Sequence, residues 1–391
     1  MSVATNQSSK LGTPFTLPCG LTVPNRIAKA AMSEQLADPR VNVANAGHFR
    51  LYERWSQGGI GLSLTGNVIV DRRFLESARN VACEPGVDTA ADFKEYARAV
   101  KGRDGSCVAI VQLGHAGRQT SPTVPNAELL SASDVQLLVD GRATPLFRRP
   151  RAMTLDEIHD VTRRFAHAAA VMQAAGFDGV ELHAAHGYLI SQFLSPLSNR
   201  RDDAYGGSPQ NRRQLLLEVL RAVRAATGPR FVVGVKLNSA DFQRGGFSEE
   251  ESLEVVSAMA AEPGLVDFVE VSGGSYESAA MMDGAGVTEE RRAVVKQREA
   301  FFLDFARRAR AAAPKLPLVV TGGFRSRAVM EQALDEDLCD FVCLGRPLVL
   351  DPDLPRRLLA APPGQASDAN IRVNENVRQD ICLCIRWREG G

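Results

Sequence analysis

His183 and His186 stand three residues apart in the stretch "ELHAAHGYL", and Tyr188 follows two residues later. That spacing permits two chemistries. A His-x-x-His pair can supply two ligands to a metal ion, with Glu181 on the same face of a strand and His115 as further candidates. The same two rings can instead donate hydrogen bonds to a substrate oxygen, with the tyrosine phenol as a nearby acid. A third reading has no chemistry in it, only two satisfied rim histidines and a tyrosine packed under a loop. The elements that carry the residues decide between these readings.

Other polar residues end apolar runs in the same way. Gln112 closes "CVAIVQL" and Lys236 closes "FVVGVKL"; "TGGF" places Gly322 and Gly323 after one run, and "FVCLGR" places Gly345 and Arg346 after another. Glycine turns let backbone N–H groups close around phosphate oxygens, and an arginine adds a bidentate contact. An amide can read a pyrimidine edge and a lysine can stabilise negative charge on it. A phosphate-bearing heterocycle, flavin mononucleotide (FMN), fits that set, with local pairing of Gln112 and Lys236 at the rim as the alternative.

The runs recur. Apolar stretches at 26–32, 59–66, 107–115, 179–185, 231–238, 267–273, 318–323 and 341–346 are candidate strands. Near-continuous apolarity suits strands buried on both faces, hence a parallel sheet. Between them lie amphipathic stripes. Phe93, Tyr96, Ala97 and Val100 mark a helix over 88–101; Ile158, Val161, Phe165, Ala168 and Met172 mark one over 154–175, opened by a Thr154–Glu157 capping box and stopped at Gly176. "SEEE" at 248–251 offers another box. Eight strands alternating with helices predict an α/β fold, a (β/α)8 TIM barrel, with residues 1–391 as a single domain. Active sites of such barrels lie at the C-terminal strand ends, and the loops after strands seven and eight are the usual phosphate site. A hairpin over 15–27 reads as a plug for the barrel bottom; long loops follow strand three (116–153) and strand six (274–298), and a tail runs over about 365–391.

The totals agree with a soluble enzyme. Lys+Arg and Asp+Glu both number 46, so no basic surplus points to nucleic acid. No stretch approaches the roughly 18 uninterrupted apolar residues of a membrane span, and "MSVATNQSSK" lacks a signal peptide's apolar region. A cytoplasmic location is the expectation. The seven cysteines are scattered as in a reduced protein, and Cys382 and Cys384 alone are too few to hold a cluster or zinc.

"PNRIAKAAM", "GLSLTGNVIV", "VQLGHAGR", "PRAMTLDEI", "GFDGVELHAAHGYLISQFLSPLSNRRDDAYGG", "TGGF" and "FVCLGRPLVLDP" occur in the order found in one family. The chain resembles the Old Yellow Enzyme family of FMN-dependent ene-reductases along nearly its whole length. The resemblance implies that Ala31, Met32, Ser33 and Gly66 line the flavin, Gln112 binds its pyrimidine portion and Lys236 lies near N1 and O2. Gly322, Gly323, Gly345 and Arg346 would hold the phosphate, His183 and His186 the substrate oxygen, and Tyr188 would deliver a proton. NAD(P)H would be the reductant and a small activated alkene, an α,β-unsaturated carbonyl or nitro compound, the substrate.

The chain departs from the family pattern in places. Ser33 stands where many relatives carry Cys or Thr, Gln35 where some carry a substrate-contacting Tyr, and Lys236 where Arg is common, keeping the charge without the fork. A relative acting on dienoyl-CoA thioesters, or a demethylating one, expected here without an iron–sulfur cluster, remains an alternative. A homodimer is compatible with the resemblance, with Arg386 and Trp387 of the tail reaching a neighbour's site. A metal-dependent barrel hydrolase is the more remote alternative.

Overall fold

The computed structural model describes residues 9–124, 128–145, 147–273, 302–324 and 326–361. Eight parallel strands close on themselves: β1 (Ile27–Lys29), β2 (Leu62–Ile69), β3 (Val108–Gly114), β4 (Gly179–Ala184), β5 (Val232–Asn238), β6 (Phe268–Ser272), β7 (Leu318–Thr321) and β8 (Phe341–Leu344). β1 pairs with β8 on one side and β2 on the other, which completes the (β/α)8 barrel expected from the sequence. Every residue of β2 to β6 and of β8 is buried, because helices cover the outside while side chains fill the inside. Apolar runs on these strands therefore need no alternation.

Helices α1 (Ala46–Ser56), α2 (Ala90–Lys101), α3 (Leu155–Ala174), α4 (Leu189–Leu194), α5 (Gln214–Thr227), α6 (Glu249–Ala260), α7 (Arg327–Asp335), α8 (Arg346–Leu350) and α9 (Leu354–Ala360) follow in order, and residues 302–312 are helical. All five expected apolar positions of α3 and all four of α2 are buried. Both expected capping boxes form: Thr154 Oγ1 accepts from Glu157 N at 3.3 Å, and Ser248 Oγ from Glu251 N at 3.2 Å. Thus local chemistry and the apolar stripe agree on where each helix starts and which face it buries.

The barrel is closed below by the expected hairpin, Phe15–Thr16 against Thr22–Val23. Its Leu17 and Val23 pack with Ala28, Leu62, Val108, Val232, Phe268 and Phe341, an apolar plug inside the strands. Close packing there is tight enough to dictate glycine: a Cβ on Gly234 would overlap the Phe268 ring.

Several strand boundaries differ from the sequence reading: β1 already ends at Lys29, not at 32, and β8 at Leu344, not at 346. β2 starts at Leu62, not at 59, and runs on to Ile69. Gly59 turns at φ +89°, and a Cβ at Gly61 would collide with the Asn25 carbonyl oxygen, so these glycines serve the entry turn. The pairing of β2 with β3 breaks register between Leu64 and Asn67, so Thr65 and Gly66 lie at a bulge inside the strand, not at its end. β7 stops at Thr321 because Gly322 and Gly323 turn away at φ +119° and +82°. The loop over 274–298 and the tail with Cys382, Cys384, Arg386 and Trp387 lie outside the described residues.

Candidate active site

The C-terminal ends of β3 to β7 carry a polar interior that no apolar pattern would place there. Gln112, Glu181, His183, Lys236 and Glu270 are all at most 4% exposed. Parallel register sets them side by side: Gln112 beside Glu181, His183 beside Lys236, and Lys236 beside Glu270. Lys236 Nζ donates to Glu270 Oε1 at 2.7 Å, and Thr321 Oγ1 donates to the same oxygen at 2.5 Å. Gln112 Nε2 donates to Glu181 Oε2 at 2.6 Å. Gln112 and Lys236 are thus neither solvated rim groups nor free: each is held by a buried glutamic side chain.

The charge states follow. Burial would push both carboxyls up, and for Glu181 burial and the Glu270 charge prevail, so it holds a proton. For Glu270, Lys236 and its hydrogen bonds outweigh burial and keep it ionised; burial lowers Lys236, but Glu270 and Glu181 raise it further. One buried cation therefore faces one carboxylate and one neutral acid.

His183 ends β4 and is nearly enclosed. Burial first, then His186 and Lys236, drive its pKa well below the ordinary histidine value, so the ring is neutral. Its Nδ1 accepts from Ala185 N at 3.3 Å, which leaves the proton on Nε2 as a donor. His186 sits at φ +58°, a left-handed conformation uncommon for a side chain-bearing residue, and its N–H donates to Asn238 Oδ1 at 3.2 Å. That turn brings its ring 5.1 Å from His183, centre to centre, with Nε2 2.8 Å from Ser272 Oγ. Tyr188 caps α4 and lays its ring 4.4 Å from His183, so the three expected residues share one wall. Gln192 fixes this turn, donating to Gly187 O at 2.7 Å and Ala116 O at 3.1 Å, while Gln119 donates to His186 O at 3.0 Å.

The segment after β1 supplies the facing wall. Ala31, Met32, Ser33 and Gln35 are half-buried there, and Gln35 turns at φ +52° with its carbonyl accepting from Arg79 Nε at 2.9 Å. Two acids that the sequence reading did not single out organise this wall. Glu34 Oε1 accepts from Tyr52 Oη at 2.5 Å, Tyr96 Oη at 2.9 Å and Gly66 N at 3.0 Å, tying the segment to α1, α2 and the β2 bulge. Glu76 accepts from Ser33 Oγ, Tyr188 Oη, Asn67 Nδ2 at 2.8 Å and Asn80 Nδ2 at 3.1 Å. Nothing in spacing marks either acid, since their partners lie up to 112 residues away.

The third expected group lies at the ends of β7 and β8. Gly322, Gly323 and Gly345 are half-buried, and Arg346 is exposed at the start of α8. At Gly322 a Cβ would press on the Phe302 ring at 3.3 Å, so bare backbone faces the mouth.

Whether this mouth suits a flavin can be judged on its unsatisfied atoms. Glu181 and Glu270 share a side-chain hydrogen bond, the neutral acid donating to the carboxylate, while Asn67 Oδ1 and Ser239 Oγ are buried with no hydrogen-bond partner among the described residues. An orphaned buried polar atom costs about 1–3 kcal/mol, so two at one mouth mark a place for a polar guest. A flavin's alternating N–H and carbonyl edge matches that mixture of donors and acceptors, and the glycine backbones suit its phosphate. Among the described residues, by contrast, no group of three or more His, Cys, Asp and Glu side chains is disposed to hold a metal ion.

Known proteins converge on the same reading. Residues 10–362 match the NADH:flavin oxidoreductase / NADH oxidase family. The chain is 40% identical over 370 residues to the NADH-dependent flavin oxidoreductase iccE of Talaromyces variabilis, covering 90% of this chain and 87% of that protein. It is 32% identical over 346 residues to an NADPH dehydrogenase of Geobacillus thermodenitrificans, covering 88% and 92%. Among solved structures, an old yellow enzyme homologue from Zymomonas mobilis superposes with a TM-score of 0.74 at 24% identity, over 95% of this chain and 99% of that one. Morphinone reductase in complex with tetrahydroNAD superposes at 0.70 with 25% identity, over 94% and 98%. With a matched family spanning almost the whole barrel and a mouth that suits a flavin, this chain belongs to the NADH:flavin oxidoreductase / NADH oxidase family, the Old Yellow Enzymes, and uses FMN and NAD(P)H.

Proposed function

We propose that the protein is an ene-reductase that reduces the activated C=C bond of α,β-unsaturated carbonyl compounds, and of nitroalkenes by the same logic. The observation that carries this is the convergence of two histidine rings and a phenol on one wall of the barrel mouth. When bound, FMN would supply the hydride for the β-carbon of the alkene, with NAD(P)H as its source. The protein's residues serve the other end of the substrate. His183 presents an Nε2–H, and with His186 it stabilises the negative charge that develops on the substrate oxygen; fixed donors in a site shielded from water act as an oxyanion hole. Tyr188 then gives its phenol proton to the α-carbon, whose electron pair forms the new C–H bond.

The cofactor would be held as the polar set suggests. Gln112 and Lys236 would meet the pyrimidine edge, Ala31, Met32, Ser33 and the Gly66 bulge would line the ring, and Gly322, Gly323, Gly345 and Arg346 would take the phosphate. Lys236, gripped by Glu270, offers a fixed point charge in place of an arginine fork. Gln35 would border the substrate.

A holoenzyme absorbing as a flavoprotein should bleach anaerobically with NAD(P)H and recover its colour with 2-cyclohexenone. Tyr188→Phe should slow that recovery by about 10²-fold or more, the usual contribution of a positioned acid, while bleaching by NAD(P)H is slowed far less. Equal slowing of the two half-reactions would remove Tyr188 from the acid's role. A reduced flavin that no enone reoxidises faster than oxygen does would sink the ene-reductase reading itself.

A further inference from the structure

We infer that Glu270 is a positioning residue that sets the electron affinity of the flavin: it pins the Lys236 ammonium and offsets its charge, which holds the reduction potential down. The inference rests on the proposed placement of the flavin's pyrimidine edge against Lys236.

Lys236 and Glu270 are register neighbours on β5 and β6, and Thr321 ends β7 beside them. Lys236 Nζ and Thr321 Oγ1 both donate to Glu270 Oε1, at 2.7 Å and 2.5 Å. The lysine and glutamate side chains are shut away from water, 4% and 0% exposed. Glu181 on β4 is the second carboxyl: it shares a hydrogen bond with Glu270 and accepts from Gln112 Nε2 at 2.6 Å. A hydrogen bond between two carboxyls needs one proton, because a carboxylate has none to give. An ammonium and a hydroxyl converge on Glu270, whereas an amide meets Glu181, so the proton sits on Glu181 and the negative charge on Glu270.

The pKa directions agree with that count of contacts. Burial lifts Glu181 well above the ordinary carboxylate range, while at Glu270 burial is outweighed by Lys236. Lys236, Glu270 and Glu181 thus sum to zero charge. A lone buried ammonium at the pyrimidine edge would draw electrons strongly into the flavin, since little water screens it. A carboxylate bonded to that ammonium cancels most of the pull. The flavin then holds its electrons less tightly, which makes it a stronger hydride donor to an alkene and a weaker acceptor from NAD(P)H.

The test is the midpoint potential of the FMN-loaded enzyme, measured anaerobically against reference dyes at neutral pH, with the flavin spectrum confirming that each variant is loaded. Glu270→Gln keeps the shape and removes the charge. Its reduced-to-oxidised ratio at a fixed dye potential should rise about tenfold or more, a shift of about +30 mV or more for a two-electron couple. Glu181→Gln exchanges one neutral group for another and should move the ratio by less than about threefold, about 15 mV. Lys236→Met strands the carboxylate and should lower the ratio about tenfold or more, and the double variant Lys236→Met/Glu270→Gln should return it to within about threefold of wild type. The double variant strands neither charge, so it decides the matter even if a single variant fails to load FMN: a Lys236 acting unopposed predicts a double variant as low as Lys236→Met. That result, an unmoved Glu270→Gln, or a Glu181→Gln shifted as far as Glu270→Gln would each overturn the inference. If neither Lys236→Met nor Glu270→Gln moves the potential, the placement of the flavin edge fails; if only Lys236→Met does, the role of Glu270 fails. These potentials are read without an alkene, so the ene-reductase reading stands or falls separately, on recovery with 2-cyclohexenone.

Discussion

The two ends of the barrel are built from the same strands with opposite chemistry. Below, Ala28, Leu62, Val108, Val232, Phe268 and Phe341 meet the hairpin's Leu17 and Val23 with no charged group among them. Above, two or four residues further along β3, β5 and β6, stand Gln112, Lys236 and Glu270, with Glu181 and His183 on the intervening β4, all just as deeply buried. Burial at the bottom is favourable outright, at about 25 cal/mol per Å² of apolar surface. At the top each charge is desolvated and must be repaid by a partner, and Asn67 Oδ1 and Ser239 Oγ find none among the described residues. The lower half thus supplies the stability on which the upper half, a preorganised polar site, depends.

The comparison can be broken most sharply at Lys236. Lys236→Met leaves Glu270 ionised and buried beside Glu181; it should cost about 3–5 kcal/mol in urea unfolding, and adding Glu270→Gln should recover most of that loss. If the single variant is as stable as wild type, the upper network is not under the strain described. At the other end, Phe268→Ala empties the space that the ring fills beside Gly234 and should cost about 3–4 kcal/mol, with the ratio of the two flavin half-reactions unchanged. A shift in that ratio would show that the two ends are not separable.

A smaller effect sits between them. His115 leaves β3 buried against Phe74, ring centres 4.5 Å apart, with Nδ1 accepting from Gly117 N at 3.1 Å. Burial lowers its pKa to about 4, partly offset by Asp71. The unfolded chain takes up a proton near pH 6.5 and the folded one does not, so stability is full above that value. It should fall by up to about 3 kcal/mol as pH drops toward 4. Unfolding curves across this window should be flatter in His115→Gln; an identical slope would mean that the folded ring accepts its proton freely. The smallest effect is expected away from both ends. Thr154→Ala removes the α3 cap and should cost about 1 kcal/mol without altering either half-reaction.

The helices were legible because stripe and cap are local: Phe165 and Met172 face the core for the same reason that Thr154 starts the helix. Strand boundaries were less so. Around Gly59–Gly66 the apolar content is continuous, and what ends one conformation and begins another is backbone contact with Asn25, together with a break in pairing with β3. Of the site, His183, His186 and Tyr188 were legible as a group because six residues of chain hold them together. Their choice between metal ligand and oxygen donor was not, since it depends on partners far along the chain, Asn238 and Ser272 at the ends of other strands and Glu76 in the loop after β2.

By itself, the sequence determined the count and order of strands and helices, the buried faces, and the positions at which polar residues interrupt apolar runs. All of these are properties of one chain segment at a time. Only the tertiary structure decided that Gln112 and Lys236 are gripped by Glu181 and Glu270, that Glu34 ties two helices to the segment after β1, and that Ser33 and Tyr188 meet on Glu76. Barrel closure brings such residues within hydrogen-bond reach from as far as 112 positions apart. No periodicity records that meeting, because it belongs to the curvature of eight strands and not to the spacing along any one of them.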